Sequence, residues 1–228
     1  MSGRRFARGV LAMAVVALAL GVSGAGSASH GATPFKMAVI LVGPHNDGGW
    51  SQAHYDAMQY VQKKLGSKVQ TTYKENIAPG SQFDQTVSSL HAQGYKMIFA
   101  TSYGMVTKQV AAKYPDILFE QATGTDVAKN LSEYFGAAED TLYLSGMAAG
   151  AAAKCNTIGF VVAFPIPEVI RHANAFALGA QLTHPGAKVH LVWTNSWYDP
   201  AKEKKAAQSL VSQGADVLGQ NVDSPAAG

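Results

Sequence analysis

Short apolar runs recur along this chain, and each is followed by a stretch with helical spacing. The first run, 37–42, is continuously apolar, as buried parallel strands are. A turn-rich loop at 43–49 leads into a helical pattern over 50–65. Strand patterns then fall at 69–73, 96–100 and 117–121, with helices predicted at 83–93 and 141–153. Further on, strands are predicted at 158–162, 189–193 and 217–220, and helices at 169–182 and 201–213. This alternation predicts α/β lobes with parallel sheets flanked by helices.

The second half of the pattern repeats the first at an offset of 120 residues, without a gap. Ten identities fall in 71 aligned positions, including Gly66 on Gly186, Ser89-Leu90 on Ser209-Leu210 and Gln93-Gly94 on Gln213-Gly214. Strands, helices and turn glycines keep the same register. A unit used twice predicts two similar lobes with a cleft between them. Right-handed crossovers place the strand-to-helix loops of each lobe along one edge, where ligands of such folds bind. Those loops are 43–50, 74–80 and 101–105 in the first lobe, and 163–168, 194–200 and 221–225 in the second.

Composition describes an ordinary globular protein. The net charge of +3 is too small to argue for a nucleic-acid partner. Part of it lies in residues 1–29, where Arg4, Arg5 and Arg8 precede an apolar run at 10–22 and then small residues. That is the anatomy of a cleavable signal peptide, and it predicts export to a periplasm. The single cysteine, Cys155, is far from this region, so no lipid-anchor cysteine is expected there. The domains read as a signal peptide at 1–29, an N-terminal lobe at 36–153 and the start of a C-terminal lobe at 154–228.

The predicted ligand edge is rich in aromatics: Trp50, Tyr103, Phe164 and Trp197. Ring faces at such an edge suit a flat heteroaromatic ligand, although each ring can also seal a lobe's core. Polar companions are Asp47, Ser102 and Asp223, with Asn195, Ser196 and Asp199 nearby. Asp47 and Asp199 each stand just ahead of a helix, so helix capping is the alternative reading for both. Glu168 reads either as a pocket acceptor or as a favourable charge in a first helical turn. The seven histidines are scattered with no metal-ligand spacing. Neither a nucleophile elbow nor a phosphate-cradling glycine loop is present. No catalysis, metal or cofactor is expected.

Several motifs together resemble one family. They are AVILVGPHNDGGW at 38–50, FATSYG at 99–104, FEQATG at 119–124, FPIPEV at 164–169 and WTNSWYDP at 193–200. The chain is similar to the basic membrane protein family of periplasmic substrate-binding proteins, and within it to the branch associated with adenine and related purines. The resemblance implies a type I-like periplasmic binding protein of two Rossmann-like lobes. It implies a purine base or nucleoside as ligand and a membrane ABC permease as partner, for a monomeric receptor. Asp47, Trp50, Tyr103, Phe164, Trp197 and Asp223 stand at or near the family's contact positions. Ser51 stands where nucleoside receptors carry Asn, which tilts the expectation from nucleoside to free base. The resemblance also implies a longer second lobe than the one visible here. The readings set beside it are a sugar receptor of the same fold, a secreted nucleoside-processing enzyme and a transcriptional regulator built on the same lobes.

Overall fold

A computed structural model describes residues 33–228, so the expected signal peptide lies outside the described residues. The first sheet is built from β1 (Phe35–Ile40), β2 (Val69–Lys74), β3 (Met97–Ala100), β4 (Leu118–Ala122) and β5 (Leu131–Tyr134). Its order is β2-β1-β3-β4-β5, and every pairing is parallel. Strand β1 shows why a continuous apolar run is needed. Ala38 and Ile40 turn to one face, among Phe83, Val87 and Leu90 of helix α2 (Ser81–Ala92). Met37 and Val39 turn to the other, among Met58 and Val61 of helix α1 (Trp50–Leu65). Both faces are covered, so both sets must be apolar.

The second sheet contains β6 (Thr157–Val162), β7 (Lys188–Trp193) and β8 (Val217–Asn221), in the parallel order β7-β6-β8. This is the order of β2-β1-β3, so the 120-residue repeat is a repeat of topology. Glycines at matched positions share a backbone state. Gly94 and Gly214 end equivalent helices with φ of 81° and 94°, in the region that favours glycine. Helix α5 (Pro167–Thr183) covers one face of this sheet and α6 (Pro200–Ser212) the other.

Two short elements depart from the pattern read in the sequence. Strand β5 and the six-residue helix α3 (Lys108–Lys113) were not predicted. A larger departure concerns α4 (Ala138–Ala152), expected to close the first lobe. It packs instead in the second, where Ala149 and Leu142 join Phe160, Ala173 and Phe176. Helix α4 thus joins the core of the second sheet although it precedes the boundary expected at 153–154. The cause is close helix packing. A Cβ added at Gly146 would lie 2.0 Å from the Phe176 carbonyl oxygen, and one at Gly179 would lie 2.0 Å from that of Tyr143. Only glycine lets α4 and α5 meet backbone to backbone.

Candidate functional site

In each sheet the chain runs outward in both directions from the central strand, so a crevice opens beside the carboxyl ends of β1 and β6. The loops at these ends face one another and enclose a chamber of about 400 Å³. The first lobe contributes Trp50 and Ser102, and the second contributes Glu168, His172, Trp197 and Asp223. Phe135, which follows β5, and Leu142 of α4 add apolar surface to the lining.

Trp50 opens helix α1, and its indole is fixed on two sides. Its Nε1–H donates to the Thr101 carbonyl at 2.7 Å. The His54 ring lies 4.6 Å away, centroid to centroid, and its Nδ1 bonds the Trp50 carbonyl at 2.9 Å. Burial holds the His54 pKa below its usual value, which favours the neutral ring. The indole is thus a pre-set platform, which lowers the entropy lost on stacking a ligand.

Asp47 does not line the chamber. Its carboxylate is buried and turned onto its own helix, accepting from the N–H groups of Gly49 (2.8 Å), Ser51 (2.8 Å) and Gln52 (3.0 Å). These are the unpaired donors of a helix start, so Asp47 anchors α1 and with it Trp50. Ser51 is also buried, and its Oγ accepts from the Gly43 N–H at 3.1 Å. It lines neither this chamber nor the one beside it. Asp199 caps α6 by accepting from the Lys202 N–H at 3.1 Å.

Asp223 behaves differently. It follows β8, and burial pushes its carboxyl up to about 8, helped by the nearby charges of Asp47, Glu203 and Glu168. The protonated form is therefore favoured at neutral pH. Burial likewise raises Glu168 and lowers His172. The Asn221 amide donates to His172 Nδ1 at 3.1 Å, which leaves the ring proton on Nε2. Phe135 stacks on the same ring at 5.7 Å. Four buried polar atoms around this chamber have no partner: Glu168 Oε2, His172 Nε2, Asn221 Oδ1 and Asp223 Oδ2. Orphaned groups are costly in a core, and their concentration at one cavity marks a surface prepared for a polar ligand edge.

Tyr103 and Phe164 lie elsewhere. They line a neighbouring chamber of about 530 Å³, which shares Val42 and Trp197 with the first. The aromatics expected around one site are thus split between two, with Trp197 on the dividing wall. Phe164 and Trp197 meet edge to face at 5.3 Å. Sequence reasoning missed His172, which sits one turn after Glu168 on the same face of α5. That i, i+4 polar pair, one turn from the helix start and facing the predicted ligand edge, was the available signal. Nothing in the sequence marked Phe135 or Leu142. Among the described residues, no group of three or more His, Cys, Asp or Glu side chains is placed to hold a metal ion.

Two lobes of this topology, with a chamber at their facing strand ends, define a type I periplasmic-binding-protein fold. A solute-binding protein of an ABC transporter system from Aeropyrum pernix has the same fold, with a TM-score of 0.69 at 19% identity over 85% of this chain and 56% of that one. Residues 35–228 match the family of PnrA-like ABC transporter substrate-binding proteins, Bmp, and the chain belongs to that family. It is 39% identical over 204 residues to a purine-binding protein of Brucella abortus, covering 89% of this chain and 58% of the relative. It is 40% identical over 205 residues to a putative ABC transporter glucose-binding protein of Haloferax volcanii, covering 89% and 51%. The chain thus spans little more than half the length of these two relatives. Among the described residues, no helix is long and apolar enough to cross a membrane.

Proposed function

We propose that this chain captures a purine base or nucleoside, adenine-like in preference, as the extracytoplasmic receptor of an ABC importer. The observation that carries this reading is the inner chamber itself. A fixed indole of the first lobe stands beside an edge of unpartnered donors and acceptors from the second. A purine is flat enough to stack on Trp50, and its rim alternates acceptors and donors that suit Asp223, Glu168 and His172. The purine-binding relative supports the same ligand class. Binding would hold the two lobes together, and the closed form would dock on a membrane permease. The polar groups serve recognition and no bond is made or broken. A periplasmic location follows from this role and from the export signal read at 1–29.

A glucose ligand is the second reading, favoured by the name of the Haloferax relative. Calorimetry with adenine, guanine, hypoxanthine, their nucleosides, glucose and ribose separates the two. Heat with a purine and none with the sugars is expected, and the reverse pattern rejects the purine reading.

Trp50→Ala should weaken purine binding about 10- to 100-fold, because stacking a base on an aromatic ring contributes roughly 1–3 kcal/mol. Trp50→Phe should recover most of that loss. Equal affinity in the wild type and the alanine variant would remove Trp50 from the site.

A further inference from the structure

One fully buried carboxylate has no place in either chamber wall. Glu203, on α6, lines neither chamber. Its counterpart in the 120-residue repeat is Phe83, a core residue of the first lobe. The second lobe thus puts a carboxylate where its twin buries a phenyl ring, an exchange that costs stability. Both oxygens of Glu203 are engaged. Oε1 accepts from the Asp199 N–H at 2.9 Å, at the start of α6. Oε2 accepts from the Ser224 hydroxyl. Ser224, also buried, follows Asp223, and its Oγ accepts in turn from the Ala226 N–H at 3.2 Å. Two further bonds hold the same loop. Gln220 Nε2 donates to the Ser224 carbonyl at 2.8 Å, and the Asp223 N–H donates to the Trp197 carbonyl at 2.9 Å.

We propose that Glu203 is a positioning residue of the purine site: its carboxylate fixes the loop that presents Asp223, and its buried negative charge keeps the proton on Asp223. The inference rests on the purine reading given above, with Asp223 as a polar contact. Three carboxyl groups bear on Asp223 from separate places: Asp47 ahead of α1, Glu168 on α5 and Glu203 on α6. His172, on α5, lines the same chamber, and burial favours its neutral ring. Asp47 accepts from three backbone N–H groups and Glu203 from two donors, whereas Asp223 Oδ2 has no partner. Donors stabilise a charged carboxylate, so the proton settles on Asp223. Of the three neighbours, Glu203 is the one hydrogen-bonded to the loop of Asp223, so position and charge act through one side chain.

Calorimetry with adenine from pH 5.5 to pH 9 tests this on the wild type, Glu203→Gln and Ser224→Ala. A glutamine at 203 keeps an acceptor for the Asp199 N–H and offers an amide donor to the Ser224 oxygen, but carries no charge. Glu203→Gln should still bind adenine at pH 5.5, and the midpoint of its alkaline decline should fall about one pH unit or more below that of the wild type. Ser224→Ala cuts the link and should weaken adenine binding about tenfold at pH 5.5. A role confined to packing would lower affinity or stability without moving the midpoint. An unmoved midpoint in Glu203→Gln, or wild-type affinity in Ser224→Ala, overturns the proposal. If Glu203→Gln does not fold, Ser224→Ala decides. A wild type whose adenine affinity is constant across this range rejects Asp223 as the contact, and the inference with it. A wild type that binds no purine rejects the purine reading itself.

Discussion

Asp223→Asn is expected to keep adenine binding near the wild-type level at pH 6 and to abolish its decline above pH 8. The wild-type carboxyl is protonated below about pH 8, so it offers one O–H donor and one carbonyl acceptor. That pair matches the adjacent acceptor and amino donor on an aminopurine rim. Above pH 8 the ionised group only accepts, and the match fails. An asparagine amide offers a donor and an acceptor at every pH. Guanine, whose N1–H and 2-amino group are adjacent donors, should show the opposite trend in the wild type. The groups that bear on Asp223 come from three other elements: Asp47 before α1, Glu203 on α6 and Glu168 on α5. A variant that loses binding tenfold at pH 6, or that keeps the wild-type pH profile, refutes this role.

The same substitution carries a stability signature. A carboxyl raised from 3.8 to about 8 takes up a proton on folding. Its contribution is fully present below pH 4 and is lost progressively as pH rises towards 8. The asparagine variant lacks that loss. Its advantage in unfolding free energy over the ligand-free wild type should grow from pH 4 to pH 8, reaching on the order of 5 kcal/mol at roughly 1.4 kcal/mol per pH unit. Urea titrations at pH 4.5, 6 and 8 measure it, and a constant difference across them contradicts the assignment.

Gly179→Ala is expected to destabilise the fold by about 3 kcal/mol, near the upper end for overpacking. In an ordinary helix interior the change would stabilise by up to about 1 kcal/mol, so the sign of the effect is decisive. The added methyl would meet the Tyr143 carbonyl oxygen at 2.0 Å and the Met147 nitrogen at 2.9 Å. Neither is the end of a flexible side chain, so α4 must move away from α5. That motion loosens the Phe160–Phe176 stack at 4.5 Å and the cluster around it. Ser145→Ala, on the exposed side of α4, serves as the control and should change stability by less than about 0.5 kcal/mol. A Gly179→Ala variant as stable as wild type would mean the helices separate freely.

The sequence was legible where one periodicity dominated. Helix α1 has the bounds its pattern predicted, Trp50–Leu65, because a glycine pair precedes it and Gly66 ends it. Strand β5 was not legible. Its four residues, Leu-Ser-Glu-Tyr, lie at a sheet edge and bury one side chain fully. Helix α3 is too short to display a helical period. Helix α4 was visible as a helix, but its run of alanines and glycines has no apolar stripe to say which sheet it faces. The site shows the same division. Loop order alone brought Trp50, Ser102, Trp197 and Asp223 to one chamber. It left open whether Asp47 faces the cleft or its own helix, since one loop serves both and only backbone geometry decides. It also left Tyr103 and Phe164 undivided from the rest, because the position of Trp197 between chambers is a three-dimensional fact.

The glycines ahead of α1 acquire a further meaning once the lobes are seen together. A Cβ on Gly49 would stand 2.7 Å from the Asp223 carbonyl oxygen, and one on Gly48 3.6 Å from Pro225. Main chain meets main chain there, across the cleft. A side chain at Gly49 would therefore hold the lobes further apart, whatever residues line the chamber.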